Sequence, residues 1–298
     1  MSDGEIREND KEVCVSYRSA FRLGLFEGRC VIVTGGGSGI GRCTAHELAA
    51  LGAAVAIVGR KAEKLEAVKA EIEEDGGKVS THVCDIREER EVQATIDAVL
   101  AQHGRIDGLV NNAGGQYRAA LKTISTKGFE AVVRNNLTGG FIFMREVYTR
   151  WMETHGGSIV NLIADIWNGW PNFAHSGAAR GGMLTLSQSA ASEWAGSGVR
   201  VNTVAPGGIA SSGFDTYAPE AFEEIRKVAK GVPMQRFGNE AEVSSAIVYL
   251  LSPASSYITG TCIRVDGGSP NARQTGTLAD ESRIPPFGGF HRALPTRS

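Results

Sequence analysis

The residues of this chain with the clearest chemistry begin at Thr34, where a β-branched run gives way to Gly35-Gly36-Gly37-Ser38-Gly39-Ile40-Gly41. Ile40, Thr44, Leu48 and Leu51 then recur at helical spacing, so the glycines fall between a strand and a helix. Glycines there permit a tight turn and bring backbone N–H groups against a pyrophosphate, at a helix N-terminus whose partial positive charge favours an anion. The context predicts a dinucleotide site whose phosphate-binding part is Gly35, Ser38, Gly39, Ile40 and Gly41; a merely flexible glycine-rich loop would not need that context. About twenty residues further on, such sites place a carboxylate on the ribose hydroxyls or a cation beside a 2′-phosphate. Here stand Gly59, Arg60 and Lys61, which favours NADP(H) over NAD(H); the plainer alternative is a solvated basic start to a helix. Asp85 closes a strand and has two readings, an acceptor for the adenine amino group or an N-cap for the helix that follows.

The elements that must position these groups are legible in the hydrophobic pattern. β-Branched runs mark strands at Cys30–Thr34, Ala54–Val58, Val79–Cys84, Ile106–Asn111, Ser158–Ile163, Arg200–Ala205 and Thr261–Val265. Between them, Leu65, Val68 and Ile72, then Val92, Ile96, Val99 and Leu100, recur at helical spacing and stop at glycines. Further helices are predicted over Phe129–Met152, Ser176–Ala195, Pro219–Lys230 and Glu240–Leu251. The alternation implies an α/β fold, a doubly wound parallel sheet of Rossmann type with about seven strands. It forms one domain over residues 26–268, with a polar N-terminal arm over 1–25 and a Pro-, Gly- and Arg-rich C-terminal tail over 269–298. The long connection from Gly207 to Arg236 reads as a substrate lid. Ligands of such sheets lie beyond the strands' carboxyl ends, so Asp165, just past the fifth strand, is a candidate for positioning a water; a turn aspartate is the alternative.

Composition narrows the partners to small molecules. Thirty-one Lys and Arg against 33 Asp and Glu give a formal charge of −2 with no basic stripe for a phosphate backbone, so no nucleic acid is expected. No apolar run is long enough for a membrane span, and the acidic and basic residues among the first thirty do not suit a secretory leader, so the expected location is cytoplasmic. Five widely spaced cysteines without a C-x-x-C suggest reduced, mostly buried thiols and no metal.

Several motifs together make the chain resemble the short-chain dehydrogenases/reductases from about Gly28 to Gly268. Thr34 to Gly41 matches the cofactor loop, Asn111-Asn112-Ala113-Gly114 the N-N-A-G, Asn136 the asparagine of the central helix, Pro206-Gly207 the P-G facing the nicotinamide, and Asp266-Gly267-Gly268 the terminal D-G-G. The resemblance implies an NAD(P)-dependent oxidoreductase and a homotetramer. It adds Ile86, Asn112, Ala113, Gly114, Pro206, Gly207 and Ile209 to the cofactor site, beside Asp85 and Arg180.

The departures from that family bear on the chemistry. Its catalytic Tyr-x-x-x-Lys falls on Ser176-Gly177-Ala178-Ala179-Arg180, and its catalytic serine on Ile163 or Ala164. A serine hydroxyl has far too high a pKa to replace a tuned phenol as general acid. Arg180 can bind the nicotinamide ribose and supply positive potential without passing a proton, or serve in a structural ion pair. Within the family the chain looks most like peroxisomal trans-2-enoyl-CoA reductase, which also carries His-Ser-Gly-Ala-Ala-Arg, although it ends Pro295-Thr296-Arg297-Ser298 and has Leu184 where that subgroup places a tyrosine. It is also similar to bacterial citronellol/citronellal dehydrogenases. The leading expectation is therefore reduction of the 2,3 double bond of an enoyl-CoA-type substrate, with Asn136 and Ser176 as donors to the thioester oxygen and Asp165 and Arg180 completing the catalytic set. The alternatives are a dehydrogenase of acyclic terpenoids and a non-catalytic dinucleotide-binding protein. His175 invites a general-base reading, and Trp167, Trp170 and Phe173 an apolar wall for an acyl or prenyl chain; packing roles are the alternatives for all four.

Overall fold

β-Branched runs covered on both faces assemble into one parallel sheet in the computed structural model, which describes residues 16–211, 229–272 and 283–293. The strands are β1 (Cys30–Thr34), β2 (Ala54–Gly59), β3 (Lys78–Val83), β4 (Gly108–Asn111), β5 (Gly157–Leu162) and β6 (Val199–Pro206), then the short β7 (Ile209–Ala210) and β8 (Gly238–Asn239), and β9 (Cys262–Val265). The main sheet runs β3-β2-β1-β4-β5-β6-β9. Its order reverses between β1 and β4, and there the carboxyl ends of neighbouring strands open a crevice. β7 and β8 form a separate parallel pair that the sequence pattern did not suggest.

Successive side chains of each strand face opposite layers, as the period of two requires. Ile32, Val58, Leu109, Ile159 and Val201 meet α3 (Glu89–His103), α5 (Gly139–Val147) and α7 (Ala174–Trp194). Val33, Ile57, Val110, Val160 and Val204 meet α1 (Gly39–Ala50), α2 (Ala62–Glu74) and α8 (Glu240–Leu251) on the other face. α8 starts at a capping box, in which Asn239 Oδ1 accepts from the Glu242 N–H at 3.0 Å and Glu242 Oε2 from the Asn239 N–H at 2.9 Å.

The helix predicted over Phe129–Met152 begins earlier and is not uniform. It comprises α4 (Thr126–Val133), a π-helical turn (Arg134–Thr138), α5, a second π turn (Tyr148–Met152) and α6 (Glu153–His155). Such widened turns insert a residue into the hydrogen-bond ladder and recur at functional sites. The first contains Asn136. The predicted helix Pro219–Lys230 and the lid over 207–236 fall largely on residues 212–228, outside the described residues.

The flanks are tied down where they are described. Tyr17 of the arm and Phe290 of the tail are buried, Phe290 against Tyr17 and His46 with the Arg42 guanidinium 4.9 Å from its ring centroid. The next residue but one, Arg292, binds Asp75 and Glu74 at the end of α2, and His291 Nε2 lies 2.8 Å from Asp75. Residues 283–293 thus form a strap across α1 and α2. Among the described residues no helix is long and apolar enough to cross a membrane.

Candidate active site

Hydrogen bonds tie the ends of β1 and β4 together at the crevice. The Thr34 hydroxyl donates to Val110 O at 3.2 Å and accepts from the Asn112 and Ala113 N–H groups at 3.0 Å. Asn112 Nδ2 donates to Thr34 O at 3.0 Å and lies 3.3 Å from Gly35 O. Two glycines are required by close approach. A Cβ on Gly35, whose φ is +68°, would lie 2.7 Å from Asn112 Nδ2, and one on Gly41 would lie 2.3 Å from Gly35 O. Ser38 is the N-cap of α1 but makes no capping bond, and the first turn holds no acidic residue, so hydroxyl and helix terminus are both left for an anion.

A cavity of about 260 Å³ runs from Gly35, Ser38 and Ile40 past Gly59 and Arg60 to Asp85, Ile86, Asn112, Ala113 and Gly114. A second, of about 720 Å³, shares Ile40, Asn112 and Gly114 and continues past Gln116, Asp165, Trp170, Arg180, Pro206, Gly207 and Ile209. The backbone cradle, the uncapped helix terminus and the two adjoining cavities fit an extended dinucleotide followed by a substrate. Lys61 departs from expectation: it is the exposed N-cap of α2 and does not line the cavity. Asp85 caps no helix, because Glu88 is the N-cap of α3. The Arg87 guanidinium beside Asp85 holds its carboxyl below the usual range, aided by the Arg87 N–H at 3.1 Å. Cys84 lines the same cavity, but burial pushes its thiol up to about 11, which keeps it protonated and weakly nucleophilic at neutral pH.

A buried polar chain beneath the second cavity joins the sheet to its helices. Asn111 Nδ2 donates to Asn161 Oδ1 at 2.8 Å and to Gly140 O at 3.1 Å, Asn161 Nδ2 to the Ser187 hydroxyl at 2.8 Å, and that hydroxyl to Met183 O at 2.7 Å. The sequence signal for Asn161 was a lone amide within a β-branched strand, which must find partners when buried.

Arg180 lines the second cavity and forms no ion pair with any described residue. Its Nη1 donates to Leu162 O at 2.5 Å, and a Cβ on Gly114 would lie 2.5 Å from Nη2. Burial lowers its pKa to about 10, so it stays cationic at neutral pH.

Asn136 and Ser176 do not present donors to the cavity. Both Asn136 Nδ2 hydrogens are engaged, to Gly115 O at 2.7 Å and Val132 O at 2.9 Å, while its Oδ1 accepts from the Gly115 N–H at 3.1 Å. Ser176 is 0% exposed and its hydroxyl donates to Gln116 Oε1 at 2.6 Å. The expectation that these two side chains would touch the thioester oxygen is thereby corrected: each faces the Gly115–Gln116 segment. His175 is fully buried, its Nδ1 accepts from the Ser176 N–H at 3.0 Å, and the Tyr117 ring packs edge-on against it, so a general-base role is not available. Trp170, with Phe173 behind it, faces the cavity, whereas Trp167 stacks on Arg264. Asp165 lines the cavity and its N–H donates to Pro206 O at 3.1 Å.

A parallel sheet with a glycine cradle at the reversal of strand order, a fixed cation and an adjoining substrate cavity defines a nicotinamide-dinucleotide oxidoreductase of Rossmann type. Residues 35–269 match the family described as Enoyl-(Acyl carrier protein) reductase. The chain belongs to the short-chain dehydrogenases/reductases, whose coenzymes are NAD(P)(H). It is 34% identical over 255 residues to a peroxisomal 2,4-dienoyl-CoA reductase of Danio rerio, covering 85% of each chain. It is 34% identical over 245 residues to a probable 2,4-dienoyl-CoA reductase of Bacillus subtilis, covering 81% of this chain and 96% of that one. The solved citronellol catabolism dehydrogenase of Pseudomonas aeruginosa is 55% identical, with a TM-score of 0.77 over 85% of this chain and 99% of that one.

Proposed function

We propose that the enzyme reduces a carbon–carbon double bond conjugated to the carbonyl of an acyl-CoA-type thioester, with NADP(H) as coenzyme. The supporting observation is the pairing of a fully buried Ser176 with an Arg180 that is cationic at neutral pH, where alcohol chemistry would need a phenol and a lysine amine. Ketone or alcohol interconversion needs a proton relay at the carbinol oxygen. Conjugate reduction needs instead hydrogen-bond donors and positive potential at the oxygen where charge develops.

The Gly35–Gly41 cradle would hold the coenzyme, which would supply the hydride chemistry at the β-carbon. The double-bond pair then moves toward the thioester oxygen, Arg180 adds positive potential near Gly114, and a water held by Asp165 delivers the α-proton. The sum consumes one reduced coenzyme and one proton and yields the saturated thioester and oxidised coenzyme. Arg60, at the adenosine end of the cavity, supports recognition of a 2′-phosphate.

A second reading, oxidation of an acyclic terpenoid alcohol, is favoured by the 55% identity to the citronellol catabolism dehydrogenase. Nicotinamide absorbance separates the two. NADPH consumption with crotonyl-, octenoyl- or geranyl-type CoA esters is the expected result. Reduction of NAD(P)+ by citronellol without turnover of any enoyl thioester would replace the first reading by the second. Intact coenzyme binding with no turnover on either panel would favour a non-catalytic protein.

A further inference from the structure

We infer that the Gln116 side-chain amide is the hydrogen-bond donor to the substrate's carbonyl oxygen, and that Ser176 and Asn136 are positioning residues that aim it. This rests on the conjugate-reduction reading. The starting point is that two side chains from different helices converge on one short segment after β4. Asn136 holds the backbone of Gly115 from both sides, accepting from its N–H at 3.1 Å and donating to its carbonyl at 2.7 Å. Ser176 holds the next side chain, its hydroxyl donating to Gln116 Oε1 at 2.6 Å from a position with no exposure of its own.

That hydrogen bond decides which end of the amide remains available. With Oε1 taken by a hydroxyl donor, Nε2 keeps both hydrogens, and it has no partner among the described residues. Gln116 is exposed and lines the larger cavity together with Asp165, Trp170 and Arg180. An unengaged donor anchored through its other atom is preorganised for a developing oxyanion, since it need not reorient as charge appears. Ser176 cannot do this itself, because its single hydrogen is spent and the side chain is sealed from the cavity. Gln116 lies two residues beyond the Asn111-Asn112-Ala113-Gly114 motif and belongs to none of the family's catalytic positions.

The test is a kinetic cycle on the full chain with NADPH and an enoyl-CoA panel. Gln116→Glu preserves shape and the acceptor for Ser176 but removes the donor; kcat should fall about 10²-fold, as for loss of an oxyanion donor, with KM changed far less. Ser176→Ala should lower kcat by about tenfold in the parent and by nothing further in a Gln116→Ala background, because its effect passes through Gln116. A merely structural serine would give the same loss in both backgrounds, and that result would overturn the positioning role. NADPH affinity, unchanged in every variant, serves as the check on folding, and Gln116→Met replaces Gln116→Glu should the latter lose it. Wild-type kcat in Gln116→Glu, or a rise confined to KM, would overturn the assignment while leaving the reductase reading intact. Absence of wild-type turnover on every enoyl thioester would overturn that reading and the assignment with it.

Discussion

Replacing Arg60 with Ala should weaken NADPH binding selectively. Arg60 follows β2, is exposed, lines the adenosine-side cavity, and has no hydrogen-bond or salt-bridge partner among the described residues. The neighbouring Asp85 is already bound by Arg87, so the Arg60 guanidinium is the cation left to meet a 2′-phosphate. A charge-assisted hydrogen bond contributes about 1.5–3 kcal/mol, and solvent screening at an exposed side chain reduces this to about 1–2 kcal/mol. At tenfold per 1.4 kcal/mol, the NADPH dissociation constant should rise by about 5- to 30-fold. The NADH constant should stay within about twofold, because the lost contact is to a group NADH lacks. A complementary variant, Gly59→Asp, would place a carboxylate where ribose hydroxyls are bound. Its Cβ would lie 3.3 Å from Leu65 Cδ2, the movable end of a side chain, so the fold should accept it and the coenzyme preference should shift toward NADH. Fluorescence titration of both variants with both reduced coenzymes measures the effect. Equal weakening of NADPH and NADH in Arg60→Ala, or no weakening of either, would refute the reasoning.

Three further outcomes follow from the packing. Gly41→Ala forces a methyl to within 2.3 Å of Gly35 O and 2.5 Å of Asn112 Nδ2, so it should cost about 1–3 kcal/mol of stability and weaken both coenzymes together, read by denaturant unfolding and titration. Phe290→Ala empties the contact among Tyr17, His46 and Arg42 that seats the C-terminal strap, and should destabilise the protein by about 3 kcal/mol without changing coenzyme affinity. Burial holds His46 below its ordinary pKa, so the folded state favours its neutral form; stability from this group is full above about pH 6.5 and falls as the pH drops from there through the lowered value. Thermal melts stepped downward from pH 7.5 should show that loss, and His46→Gln should flatten it; an unchanged slope would remove His46 as its source.

Most of the sheet was readable from sequence because its strands are covered on both sides: runs such as Val55 to Val58 or Val31 to Val33 admit few alternatives, and strand ends moved by only one or two residues. The glycine cradle was readable for a related reason, since its requirement is steric and local. The strap was not. Phe290, His291 and Arg292 carry too little apolar periodicity to mark an element, and what fixes them is Asp75, 217 residues away from Arg292. Similarly, the π turn at Asn136 leaves no mark in the hydrophobic pattern, because it keeps the helix continuous while shifting its register.

The site shows a different limit, one of direction. Asn136 and Ser176 were identified by type and position, but both are buried behind the loop after β4, and whether a hydroxyl or an amide faces substrate depends on which partner takes its hydrogens. For Ser176 that partner is Gln116, 60 residues upstream on the loop after β4. The resemblance places a tyrosine at this position, and its phenol would extend much farther from the helix than a serine hydroxyl does. A short side chain at position 176 keeps the hydroxyl inside the protein and leaves room for the Gln116 amide to approach it. The group nearest the substrate is then supplied by the loop after β4, with α7 acting from behind. The loss of the phenol and the recruitment of Gln116 are on this view one change, so restoring Ser176→Tyr alone should clash with Gln116 before it could restore an alcohol relay.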